Sequence, residues 1–153
     1  MIHWLSFLLV PALAIASSPE PRFQQFPTST SARSHWVAPQ LDTPFARQFR
    51  TVLREQTKGS PDFAGHYTVA RWGCGSACIT WAVVDRLTGK IWFAPFSIAA
   101  ANCSETPDYC QQSMDYRLDS ELIVVVGSRN EQVAGKSYYR WHNGRLTLLR
   151  QEP

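Results

Sequence analysis

From Gly65 onward, the chain consists of short segments rich in apolar residues, separated by turn-forming residues. Most segments carry apolar side chains on both faces, and Asn143-Gly144 between the last two is the strongest hairpin signal in the sequence. The pattern predicts an antiparallel meander of about six strands, forming a curled sheet or partial barrel. The predicted strands are residues 66–74, 78–85, 91–96, 122–127, 136–142 and 145–150.

One segment before the strands has the spacing of an amphipathic helix. Thr43 can cap it, Pro44 suits the first helical position, and Gly59 can end it. Its apolar face consists of Phe45, Phe49, Val52 and Leu53. The sequence therefore predicts one N-terminal amphipathic helix packed on the sheet, and the fold class is α+β, mainly β.

The first residues have the features of a signal peptide. The apolar run at residues 4–15 is too short to span a bilayer, and Ala14-Ile15-Ala16 is typical of a cleavage site. We expect a signal peptide at residues 1–16 and a periplasmic or secreted protein. A buried N-terminal segment is the alternative. No later run is long enough for a membrane span.

Composition divides the remaining chain into two parts. Residues 17–40 are rich in Pro, Ser, Thr and Gln, which predicts a flexible lead-in, and residues 41–153 are expected to form a single α+β domain. The hydrophobic fraction of 44% and charged fraction of 18% are typical of a globular protein. The net charge is +3 and the basic residues are scattered, so nucleic-acid binding is not predicted.

Four cysteines, Cys74, Cys78, Cys103 and Cys110, are expected to form disulfides in an exported protein. The local pairing Cys74–Cys78 and Cys103–Cys110 is favoured, because a tight turn can bring the ends of the first pair within bonding distance. A crossed pairing is an alternative. A zinc site is disfavoured because the spacings do not match those of zinc knuckles, and no metal or cofactor is predicted.

Aromatic and histidine side chains supply the candidate functional residues, which are His66, Tyr67, Trp72, Trp81 and Trp92. Aromatic residues of this kind serve in cores and in interfaces alike. Core packing is one interpretation, and an aromatic surface for a glycan or a partner protein is the other. No complete catalytic set is present in the sequence.

The segment "PDFAGHYTVARWGCGSACITWAVVDRLTGKIWFAP" carries a resemblance to a family. Its pattern, FAG-x-Y followed by WGCG-x-x-C and D-x-x-TGK, resembles that of small uncharacterised exported proteins of bacteria. The resemblance implies an exported, periplasmic location and a β-rich body. It implies no activity and no catalytic residue.

These observations favour a small exported binding protein without enzymatic activity. An envelope enzyme inhibitor or a toxin-neutralising protein is the type of function we expect, and the partner would be an envelope protein. One alternative is a thiol-dependent enzyme or redox protein that uses Cys74 or Cys78, with His66 or His142 as base. Another is a module that binds cell-wall glycan on an aromatic face.

Overall fold

A computed structural model describes residues 19–32, 35–99, 113–132 and 134–153. The predicted signal peptide and the pair Cys103–Cys110 lie outside these residues. The described elements are a 3₁₀ helix (Phe23–Gln25), α1 (Pro44–Gln48), α2 (Arg50–Gln56), β1 (Tyr67–Gly75), β2 (Cys78–Asp85), β3 (Ile91–Phe93), β4 (Ile98–Ala99), β5 (Met114–Tyr116), β6 (Leu122–Arg129), β7 (Ala134–His142) and β8 (Arg145–Glu152).

The strands form one open antiparallel sheet, which confirms the mainly β fold. Its order is β1-β2-β4-β6-β7-β8, with β3 paired to β2 and β5 paired to β6. The prediction of about six strands is wrong, because the described residues contain eight. The two additional strands, β4 and β5, have two and three residues and are too short to show a period in the sequence.

The predicted single helix is wrong, because the segment forms two short helices that break at Phe49. The Thr43 side chain caps α1, accepting a hydrogen bond from the Ala46 N–H at 3.0 Å. The backbone of Phe49 leaves the helical region, with φ −100° and ψ 18°. Its ring packs against Trp72 with centroids 4.9 Å apart. We attribute the break to this packing, which overrides the helical period.

Alternate residues of the strands fill opposite faces of the sheet. On β2, Val83 belongs to the inner cluster and Val84 to an outer one, and Ile123 and Val124 on β6 divide in the same way. The sheet curls around the inner cluster without closing, so that β1 and β7 approach each other across its concave face. The rings of Tyr67 on β1 and Trp141 on β7 are 5.7 Å apart, although β2, β4 and β6 lie between these two strands in the sheet.

The outer face is covered at both ends of the sheet. Near β1 and β2, Leu53 of α2 packs on the strands in one outer cluster. Near β6 and β7, Phe23 and Phe26 of the lead-in pack against a second outer cluster that contains Leu122 and Tyr138. Backbone hydrogen bonds also connect the lead-in to the body, among them Thr28 N–H to Asp119 O at 3.0 Å. The domain boundaries themselves stay a prediction.

Candidate functional site

An aromatic cleft opens between β3 and the turn that joins β7 to β8. Its volume is about 280 Å³. The lining residues are Trp81, Val83, Trp92, Phe93, Ala94, Pro95, Trp141, Gly144, Arg145 and Leu146. Arg145 is the single ionisable residue among them, so the aromatic cleft is an apolar site with one cation at its edge.

The curl of the sheet brings these residues together from four strands. Trp81 and Val83 point inward from β2 because alternate residues of a strand share a face. Trp92 of β3 and Leu146 of β8 pack at the border of the same inner cluster. The cleft is therefore a product of the tertiary fold and does not correspond to any single sequence motif.

The β7–β8 turn forms one wall of the cleft. Asn143 and Gly144 adopt φ values of 49° and 78°, as a two-residue hairpin turn requires, so the predicted hairpin is confirmed. A Cβ atom added at Gly144 would lie 2.8 Å from the Trp92 indole. The glycine thus permits both the turn and the close approach of its backbone to Trp92.

The aromatic rings that line the cleft form an edge-to-face network with each other and with Tyr67. Trp92 and Trp141 have centroids 5.4 Å apart at an interplanar angle of 79°, and Tyr67 lies 6.2 Å from Trp92. Trp81 is 1% exposed and Trp141 is 4% exposed. Edge-to-face contacts of this kind stabilise a fixed arrangement of rings, so the base of the cleft is built of closely packed side chains.

The structure brings four of the five candidate residues to the inner side of the sheet. Tyr67 and Trp81 are buried there, Trp92 borders the cleft, and the His66 ring stacks on Tyr67 with centroids 4.1 Å apart. Nε2 of His66 lies 3.7 Å from Oδ1 of Asp85. Trp72 does not join them.

Trp72 packs on the outer face, under α1 and α2. Its ring contacts Phe49 at 4.9 Å and Phe93 at 6.2 Å. Sequence reasoning did not name Gly144, Arg145 or Leu146 as site residues. The hairpin signal at Asn143-Gly144 predicted the turn between β7 and β8. It did not predict that this turn would contact Trp92 on β3.

Burial and charge determine the chemistry available to Tyr67. Burial, together with the charge of Asp85, raises the pKa of Tyr67 above its ordinary value. The Asp85 carboxylate is held by its own turn, where it accepts hydrogen bonds from the Leu87 N–H at 2.7 Å and the Thr88 hydroxyl at 2.9 Å. The Tyr67 phenol therefore stays protonated at neutral pH and is unsuited to act as a base.

The Cys74–Cys78 disulfide confirms the predicted local pairing of these two residues. Their Cα atoms are 5.1 Å apart, across a turn in which Gly75 and Ala77 have positive φ values of 142° and 54°. A crossed pairing of either residue with Cys103 or Cys110 is therefore wrong. While the bond is intact, neither sulfur can act as a thiolate nucleophile.

The described ranges contain no cluster of three His, Cys, Asp or Glu side chains able to hold a metal ion. Of the helices in the part of the chain that the structure describes, none is long and apolar enough to cross a membrane. Comparisons with protein-family models, curated proteins and solved structures gave no significant match. The family resemblance noted from the sequence therefore stays a prediction.

Proposed function

We propose that this chain is a small exported binding protein that accepts an apolar side chain of a partner protein into the aromatic cleft. The observation that carries the proposal is the cleft itself, which combines tryptophan walls, a volume of about 280 Å³ and an edge arginine. Pockets lined by Trp, Tyr and Arg are typical of the anchor points of protein interfaces. The disulfide supports an oxidising, extracytoplasmic compartment.

The exposure of the rings favours an inserted side chain over a stacked sugar. A glycan platform needs an open aromatic face, but Trp81 and Trp141 are buried. Trp92 is partly buried, the Lys90 ammonium lies 4.8 Å from its ring centroid, and the backbone of Gly144 packs against its edge. The glycan alternative therefore has less support from the described geometry than a protein partner has.

The charges at the edge of the cleft suggest the character of the partner. Arg145 lines the cleft and Lys90 borders it at Trp92, and both residues are exposed. A partner that presents an aromatic or aliphatic side chain next to acidic residues would match both features. Such rim charges accelerate association more than they raise affinity.

Two substitutions on β8 test the proposal as a matched pair. Leu146 lines the cleft, whereas Leu148 lies on the same strand, is 44% exposed and is outside the cleft. Purified protein with Leu146→Lys or Leu148→Lys would be cross-linked in envelope extract of the source organism, and captured proteins would be quantified by mass spectrometry. We expect Leu146→Lys to lose at least ten-fold of a specific capture that Leu148→Lys retains.

Folding of both variants would be checked by circular dichroism and by urea denaturation. Equal capture by the two folded variants would mean that the cleft is not the binding site. If the native protein captured glycan fragments and Leu146→Lys did not, the cleft would be a glycan-binding site instead.

A further inference from the structure

A second cleft, the basic pocket, shares no lining residue with the aromatic cleft. It is formed by the lead-in, the end of α2 and the turn after β2, and its volume is about 450 Å³. Its lining residues are His35, Trp36, Ala38, Pro39, Arg54, Thr57, Lys58 and Arg86. The lining contains several basic side chains and no acidic one.

Arg86 is a buried cation that lines this pocket. The residue is 3% exposed. Its guanidinium donates to neutral acceptors, namely Val37 O at 3.4 Å, Gly59 O at 3.0 Å and Thr68 Oγ1 at 3.3 Å. Among the described residues, none of the ion pairs within 4.0 Å involves Arg86 and none of the hydrogen bonds involves its Nη2 atom. A buried guanidinium normally has an anionic partner, so its position here calls for one.

Electrostatics agree with this geometry. Burial lowers the pKa of Arg86, and the charge of Asp62 acts in the opposite direction from beyond ion-pair distance. An arginine nevertheless stays protonated at neutral pH. The buried positive charge is therefore present in the folded protein.

Two further cations lie at the entrance of the basic pocket. Lys58 Nζ is 2.6 Å from the Glu55 carboxylate on the exposed surface. Arg54 is exposed and forms no ion pair within the described ranges. Within the described ranges, Glu55 is thus the one carboxylate in ion-pair contact with these three cations. Arg54 and Arg86 have no ion-pair partner there, and the Asp62 charge acts on Arg86 only from a greater distance.

We propose that the basic pocket binds a phosphate group. A phosphate group carries between one and two negative charges at neutral pH, which matches the combined charge of Arg54 and Arg86, and its oxygens suit the planar donors of arginine. Arg86 supplies the buried contact and Arg54 the contact at the entrance. The Trp36 ring provides an apolar wall for an organic group attached to the phosphate. This proposal is independent of the aromatic cleft.

Calorimetry on the full chain would test the proposal with inorganic phosphate and phenyl phosphate as probes. Ionic strength would be held constant with sodium chloride, and acetate would serve as the monoanion for comparison. We expect saturable binding of at least one phosphate probe, with acetate at least ten-fold weaker. Tighter binding of phenyl phosphate would favour a phosphate ester as the ligand, and equal or weaker binding of phenyl phosphate would favour free phosphate.

Arg54→Gln and Arg50→Gln form a matched pair, because both residues lie on α2 and each substitution removes one positive charge. Arg54 lines the pocket, whereas Arg50 does not and its Nη1 bonds to Arg47 O. We expect Arg54→Gln to weaken phosphate binding at least ten-fold and Arg50→Gln to leave it within two-fold.

Arg54 is exposed, so its replacement is expected to leave the fold intact. Replacing the buried Arg86 could unfold the protein, and for that reason the test uses Arg54. Absence of saturable binding, or an equal loss in both variants, would overturn the proposal. Backbone amide shifts on phosphate addition that fall outside residues 35–38, 54–58 and 85–87 would overturn it as well.

Discussion

At the scale of single residues, Tyr116 lies between a carboxylate and a cation. Its hydroxyl is 3.4 Å from Asp62 Oδ2, and the Arg71 guanidinium carbon is 5.6 Å from its ring centroid. Burial, with a further contribution from the Asp62 charge, raises the pKa of Tyr116 to about 12. The folded protein therefore favours the protonated phenol more strongly than the unfolded chain does.

This shift predicts a loss of stability at alkaline pH. Tyrosine in an unfolded chain titrates near pH 10, so the contribution of Tyr116 is complete below that pH and is lost as the pH rises toward 12. Urea denaturation at pH 8 and pH 11 would measure it. We expect the native protein to lose more stability between these pH values than Tyr116→Phe, in which the other tyrosines are unchanged. Equal losses would contradict the assignment.

Gly144 is the residue at which turn geometry and cleft packing meet. Its φ is 78° and an added Cβ would lie 2.8 Å from the Trp92 ring, so Gly144→Ala introduces both backbone strain and a clash. We expect a loss of about 1–3 kcal/mol in the free energy of unfolding. Gly59→Ala is the matched control, because nothing lies within 4 Å of its added Cβ. Similar effects of the two substitutions would refute the argument.

At the scale of elements, the β1–β2 hairpin is constrained at its turn and along its outer edge. The Cys74–Cys78 disulfide closes its exposed turn. Along the outer edge of β1, neighbouring groups satisfy the backbone, since Val69 N–H donates to Asp62 Oδ1 at 3.1 Å and Arg71 N–H donates to Gln56 Oε1 at 3.4 Å. Capping of this kind makes an edge strand a poor template for pairing with another chain.

The disulfide predicts a modest gain in stability because the loop it closes is short. A sequence separation of 4 encloses five residues, for which loop-closure entropy gives about 2 kcal/mol. We expect the double variant Cys74→Ala/Cys78→Ala to unfold with a free energy lower by this amount in urea. A reduced native protein should match the double variant. A change below about 0.5 kcal/mol would show that the bond does not stabilise the fold.

The accuracy of sequence-based prediction differed between elements for physical reasons. Strands with a clear apolar pattern were located well, as for Cys78–Asp85, because period and turn residues agree there. The helix break at Phe49 was missed because the helical period of apolar residues continues through it. We attribute the non-helical backbone of Phe49 to the packing of its ring on Trp72, which the sequence pattern does not show. The cleft could not be predicted, since the contact of Trp92 with Gly144 depends on how far the sheet curls.

At the scale of the whole molecule, the lead-in forms part of the folded body. Ser120 is 1% exposed, and its hydroxyl oxygen lies 2.8 Å from Phe23 O and 3.1 Å from Phe26 O. The same oxygen accepts a hydrogen bond from the Leu122 N–H at 3.2 Å. One buried side chain thus connects the start of β6 with the segment that covers the outer face.

Replacing Ser120 should loosen that segment. Ser120→Ala removes the acceptor of the buried Leu122 N–H and the hydroxyl contact with two lead-in carbonyls, which costs about 1–3 kcal/mol. We expect faster hydrogen exchange at Thr28 and Glu121, whose amides bond across this contact, with no change in β1 and β2. Ser137→Ala, at a serine on β7 that is 3% exposed, is the control. Uniform acceleration throughout the sheet would contradict a local role.

The shortest strand has a mechanical consequence. In the described sheet, β4 alone joins the half containing β1 to β3 to the half containing β5 to β8, through two residue pairs on each side. The β1–β2 and β6–β7 ladders are much longer. Hydrogen bonding between the halves within the sheet is therefore concentrated at Ile98 and Ala99, while the packed rings of Tyr67, Trp92 and Trp141 join the halves across the concave face. The inner aromatic cluster thus holds the two halves of the sheet together where the strand ladder is thinnest.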